Sequence, residues 1–411
     1  MFFAVLAAYL GMWSGGAWGA VSTEEIDKVR NKGLLEEKDF AVIDAFVKES
    51  VDALVQAQDF TSIAKIRTVM LARANSDKES AAAQYAEQFS ESAYKHLSEA
   101  FKAVETAVSG RERVNVVVNL LILIDGMGDV RLAELVEKKL SDPSAVIQYW
   151  AVHCLTNPVL VEKIKAGGDS GELSKIAGEL GGVVAGVEPE TLGLMVRFAG
   201  AAEGAEAKDL LLKIADERIK SYAEWKVKYE LLDAAVLKAL DEKMSSEADS
   251  TSSPQADAEV ARRFAQLYSY AIQRMAKGGD TLSGEQKEQL SSVLVDIEAT
   301  CISKILGTPQ SSIKKAIEEG NNSALMEEHN KLLGGDTQAG QLAQKLNFNY
   351  GTAADGSGRT APDVLPEPPS KGQAPQPESE QAPRPGSEQA PRPGSGQAGE
   401  EEVKTPQGAG E

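Results

Sequence analysis

Between Ser22 and about Tyr350 the apolar residues recur every three or four positions and almost nowhere alternate, which predicts helices throughout. Tyr85, Phe89, Ala93, Leu97, Phe101, Val104 and Val108 form one stripe, with Glu87, Glu91, Lys95, Glu99 and Lys102 off it. Tyr222, Trp225, Tyr229, Leu232, Val236 and Ala239 step like a heptad seam, so one long helix is expected near 205–245 and another near 77–108. Val260, Phe264, Leu267, Ala271 and Met275 make a third stripe; Leu290, Leu294, Ile297, Cys301 and Ile305 make a fourth. Ser22 with Glu25 fits a capping box, and Asp142-Pro143 and Asn157-Pro158 each set a cap before a helix-opening proline.

Residues 114–124, VNVVVNLLILI, are the most apolar run of this region. They are too short to span a bilayer and contain Asn115 and Asn119, so a helix packed from both faces is expected, with a short buried strand as the alternative. Gly-Gly-Asp-Ser/Thr occurs at 167–170, 278–281 and 334–337. The glycines suit a left-handed helix end and the following residues suit the next cap, so all three predict helix-turn-helix joints. No Lys-Ser/Thr follows, so they are not phosphate cradles. Their spacings, 111 and 56 residues, hint at a long hairpin repeat.

Leu140-Ser141-Asp142-Pro143, followed by Val146, Ala151 and Leu155, resembles the second-helix entry of a HEAT repeat. The resemblance covers one to two units within 111–165 and departs at Ile147, where the family usually has Arg. It implies an all-α fold, an irregular right-handed α-solenoid of antiparallel hairpins, and a scaffold or binding surface. It carries over no catalytic residue.

The two ends are different material. Phe2 to Trp13 is an apolar run followed by small residues, with Ala17 and Gly19 placed for a signal peptidase, so residues 1–19 read as a cleaved signal peptide. No Lys or Arg precedes the run, which leaves an uncut anchor as the alternative. From residue 351 the periodicity stops, and eleven of the sixteen prolines lie between Pro362 and Pro406. Residues 379–386 and 387–394 are identical octads, SEQAPRPG, flanked by worn copies at 371–378 and 395–402. Such a segment buries too little surface to offset its ordering entropy, so 351–411 reads as a disordered tail or spacer. On that reading a chain cut after about residue 355 keeps its melting temperature. The helical domain is then 20–350, with a possible sub-boundary near 246–256.

A formal charge of -19 argues against a nucleic-acid partner, since phosphate backbones call for clustered Lys and Arg. His96 borders an apolar stripe and reads as structural; His329, within Glu327-Glu328-His329-Asn330, reads as solvated. His153 and Cys154 are neighbours, but adjacent helical residues point about 100° apart and cannot act as base and nucleophile. Cys154 and Cys301 both fall on apolar stripes and read as buried free thiols; an oxidising compartment permits one long-range disulfide as the alternative. Trp150 and Trp225 read as core. No catalytic, cofactor or metal motif stands out. The expectation is an exported, periplasmic or extracellular, non-catalytic scaffold that binds another protein, with no membrane span after signal cleavage. The alternative is an all-α envelope enzyme acting on glycans or peptidoglycan.

Overall fold

The computed structural model describes residues 23–168, 170–248, 257–335, 338–352 and 356–369. The expected signal peptide, the octads and most of the expected sub-boundary lie outside them. In chain order the helices are α1 (Glu24–Arg30), α2 (Glu37–Gln56), α3 (Phe60–Leu71), α4 (Ala82–Ala107), α5 (Gly110–Met127), α6 (Ala133–Glu137), α7 (Ala145–Leu155), α8 (Pro158–Gly167) and α9 (Ser170–Val183). They continue as α10 (Pro189–Ala201), α11 (Ala205–Ala223), α12 (Leu232–Ala248), α13 (Ala258–Gly278), α14 (Gly284–Ile297), α15 (Ser303–Leu306), α16 (Ser312–Glu318), α17 (Asn322–Leu333) and α18 (Gln341–Leu346). Among the described residues, strands are limited to β1 (Gly334–Gly335) and β2 (Gln338–Ala339), paired antiparallel. The fold is all-α.

Helices rest mainly on the next helix or the next but one: α2 on α4, α5 on α7, α9 on α11, α10 on α12, α11 on α13. This arrangement of many packed helices is compatible with a helical solenoid. The apolar stripes supply the core, as Tyr85, Leu97, Leu120, Leu121, Ile176, Leu240, Phe264 and Leu294 are all fully buried. The run at 114–124 is helical, inside α5, with Val117, Leu120, Leu121, Leu123 and Ile124 buried. In the HEAT-like stretch Asp142 is buried against Arg113 and accepts from Ser144 N, and α7 starts at Ala145 instead of at Pro143. Ile147, where the resemblance departs, is buried, whereas Val146 is exposed.

Several expectations are corrected. The seam at Tyr222–Leu232 does not run through one helix: α11 ends at Ala223 and α12 begins at Leu232. Helix α1 opens with Thr23 at its N-cap and no side-chain cap; capping boxes close α2 (Glu36 and Asp39) and α14 (Ser283 and Gln286). Asn157 does cap α8, accepting from Val159 N at 2.8 Å. Of the glycine joints, the first behaves as expected at its helix end, with Gly168 at φ 73°. In the second, Ser283 and not Thr281 caps α14. In the third, Gly334 and Gly335 form β1, and Gly334, at φ 113°, leaves room for the Thr360 carbonyl that a Cβ there would overlap.

That last contact marks the largest correction. Residues 356–368 lie with the helices, and the compact unit runs to Pro368, not to residue 350. Thr352 bridges Gly358, Tyr350 N donates to Arg359 O at 3.1 Å, and Arg359 N donates to Gly351 O at 2.8 Å. The segment from Arg359 to Pro368 is called the strap below.

Candidate functional site

Helix α13 combines an apolar stripe with a polar face, yet from Phe264 to Arg274 it is buried on every side. Its polar face is covered by the strap. Gln266, Ser269, Gln273 and Lys277 recur at helical spacing along that face, so their side chains reach one line of approach.

Two glutamines read the main chain of the strap. Asp363 N donates to Gln266 Oε1 at 2.8 Å, and Leu365 N donates to Gln273 Oε1 at 2.7 Å. Gln273 Nε2 donates back to Asp363 O at 3.0 Å, with Gln266 Nε2 at 3.4 Å from the same oxygen. Lys277 Nζ donates to Leu365 O at 2.7 Å and pairs with Glu367 at 3.0 Å. An amide side chain carries both N–H donors and a carbonyl acceptor, so it can match the C=O and N–H of an extended peptide. Leu365 is fully buried, contributing roughly 1.5–3 kcal/mol, whereas Val364 beside it is 72% exposed.

The other wall is the loop between α11 and α12. Arg218 and Asp233 form a buried bidentate pair at 2.6 and 3.0 Å, and Tyr222 Oη donates to Asp233 at 2.7 Å. Burial, with the neighbouring Asp233 charge, drives the Tyr222 hydroxyl well above its ordinary range. Arg218 also donates to Lys228 O at 3.0 Å, which holds the loop with Trp225 and Tyr229 both at φ 57°. Left-handed backbone at non-glycine residues is strained and tends to gather where a ligand is gripped. Here it aims Trp225 at the strap: Trp225 Nε1 donates to Pro366 O at 2.9 Å. An indole N–H on a prolyl carbonyl is a means of reading proline-rich chains. Trp225 is therefore half-buried, packed against the core and at the same time a contact residue for the strap. Arg274 lies against the Trp225 and Tyr222 rings, its Nη2 donating to Glu230 at 3.1 Å. Arg274 Nε and Nη1 are buried and meet no acceptor among the described residues.

Beneath the strap lies a buried polar network. Ser269 Oγ is 2.7 Å from His329 Nε2, His329 Nδ1 is 2.9 Å from Asn330 Oδ1, and Gln273 Nε2 donates to Ser269 Oγ at 2.8 Å. His329 is therefore buried, contrary to the solvated reading, and burial holds it below its ordinary value. The reason is its direction: it faces α13, which packs on α17. The network ties α17 to Gln273, the residue that grips the strap.

The other singled-out residues lie elsewhere. His96 is buried between Asp44 at 2.9 Å and Glu99 at 3.3 Å, joining α4 to α2. His153 pairs with Asp125 at 3.1 Å, and Trp150 lies against its ring. Cys154 donates instead to Leu121 O at 3.3 Å, and burial raises its thiol. The space beside it holds about 10 Å³, room for roughly one water. Cys301 is also buried; burial pushes its thiol up to about 11. Both cysteines are free, so the disulfide alternative is not formed. The three histidines do not share a partner. Among the described residues no group of three His, Cys, Asp or Glu is placed to hold a metal, and no helix is long and apolar enough to cross a membrane.

The sequence signals that could have found the strap seat were Gln266 and Gln273 at helical spacing on the polar face of α13, and Leu365 standing among prolines.

No protein-family model matches the chain, and no curated protein matches it. Among solved structures it is similar to one described as the crystal structure of an engineered protein, at 14% identity and a TM-score of 0.19. The match covers 79% of this chain and 98% of that one. At that TM-score the likeness carries no argument about fold or function.

Proposed function

We propose that the protein is an exported, non-catalytic helical scaffold, its hairpins stacked as an irregular right-handed solenoid, that binds an extended segment of another protein. The observation that carries this reading is the seat on α13. It holds an extended chain through main-chain hydrogen bonds from Gln266, Gln273 and Lys277, an indole donor from Trp225, and one apolar pocket. Main-chain bonds supply affinity for any extended chain, and the pocket supplies selectivity. Export rests on the composition of residues 1–19. The enzyme alternative calls for histidines and carboxylates gathered in one groove, whereas His96, His153 and His329 have separate partner sets.

The test is a photo-crosslinking residue placed at Tyr229, which is 49% exposed on the loop that carries Trp225, in cells that make the protein. An adduct with a second protein, absent when the same residue is placed at exposed Lys102, is expected. No adduct at Tyr229 would remove the scaffold reading.

A further inference from the structure

We propose that the strap is a cis ligand which closes this seat, and that the partner displaces it with an extended segment of the pattern aliphatic, proline, acidic. This rests on the reading of the seat as a protein-binding surface.

The strap is held as a ligand is held. Apart from the Leu365 side chain and the Glu367 carboxylate on Lys277, its grip on α13 runs through backbone groups of Asp363 and Leu365, while the side chain of Val364 faces outward. The consecutive positions that set the pattern are Leu365 in its pocket, Pro366, which favours the extended backbone that brings its carbonyl to Trp225 Nε1, and Glu367 against Lys277. A trans segment with Leu-Pro-Glu or a near equivalent satisfies the same groups.

The chain's own octads do not. Aligning Ala382-Pro383-Arg384 on Leu365-Pro366-Glu367 leaves the pocket with a methyl and sets Arg384 opposite Lys277, like charge on like charge. On that alignment the identical octads lack both the aliphatic and the acidic element of the pattern.

The experiment uses the full chain and a fluorescent peptide of residues 359–369, RTAPDVLPEPP. Leu365→Asp cannot keep its strap in an apolar pocket, so it should bind the peptide at least tenfold more tightly than the wild type. Neither protein should bind a peptide in which LPE is replaced by APR. If circular dichroism shows that Leu365→Asp is unfolded, Leu365→Ala takes its place with the same expected direction. Equal affinity for wild type and variant would overturn the cis assignment and leave the seat as a binding surface. No binding to a folded variant would overturn the seat reading itself. A wild-type dimer in light scattering that Leu365→Asp dissociates would make a second copy the occupant and also overturn the cis assignment.

Discussion

Glu298 and Ile313 meet across two elements: the Glu298 carboxylate accepts the Ile313 N–H at 2.7 Å, at the start of α16. Its other oxygen accepts Lys314 N at 2.8 Å. Glu298 stands in a π-helical turn, Glu298–Ile302, inserted between α14 and α15. Helix α16 has no side-chain cap of its own from Ser311, so a buried residue fourteen positions upstream of Ser312 does that work. Glu298→Ala leaves the buried Ile313 N–H unpaired and should destabilise the protein by about 1–3 kcal/mol in urea unfolding. Glu298→Gln, which keeps one acceptor, should fall between the two.

Leu365→Ala should cost about 2–3 kcal/mol, in the ordinary range for emptying an apolar pocket. A chain ending at residue 369 should melt with the full-length protein, and one ending at residue 355 should melt several degrees lower. Differential scanning calorimetry on the two truncations decides it, and equal melting would contradict the packed strap.

His329 introduces a pH dependence. Burial holds its folded value below the ordinary value near 6.5, so the unfolded chain takes up the proton first. The stabilisation is full above about pH 6.5 and is lost as pH falls below it, by at most about 1.4 kcal/mol per pH unit. His329→Gln should flatten the slope between pH 6.5 and 5. Asp44 belongs to a lower window. Burial raises its carboxyl, but hydrogen bonds from His96 and Lys95 outweigh that and hold it below 3.8, so its contribution is lost only in stronger acid.

Tyr229 is exposed and left-handed. Glycine carries no penalty for that backbone, whereas other L-residues lose about 1–2 kcal/mol. Tyr229→Gly should therefore be about 1 kcal/mol more stable than Tyr229→Ala, the reverse of the order at a helix position. The difference in urea midpoint between the two variants is the readout.

With its thiol near 11, Cys301 is almost wholly protonated at pH 8, and Cys154 is held higher still. The thiolate is the reactive form. A thiol reagent should label neither in the native protein and both in denaturant. Rapid labelling of either in the native state would contradict their burial.

The helices were legible because the stripe at Tyr85–Val104 or Leu290–Ile297 needs only spacing, and spacing is in the sequence. Trp225 and Tyr229 misled because they keep heptad spacing across a loop. Arg218 reaches the Lys228 carbonyl from ten residues upstream and holds that loop, a contact that periodicity does not encode. His329 misled because its neighbours Glu327 and Glu328 are polar, while the imidazole projects from α17 onto Ser269. The strap was illegible for a different reason. Its composition is that of a linker, and Leu365 is placed by contacts far away in the chain, its N–H held by Gln273 ninety-two positions earlier.

The short path from Tyr350 to the strap sets a concentration. Chain pairing at Thr352 and Gly358 delivers Leu365 to its pocket as a tethered group, and a short tether acts like a free ligand at about millimolar strength. A competing segment of equal intrinsic fit must then approach millimolar itself to occupy half of the seats. A partner present at micromolar levels prevails only by fitting the pocket better, or by arriving on a second attachment that raises its own local concentration. Occupancy of this seat is thus governed by tether length as much as by contact chemistry.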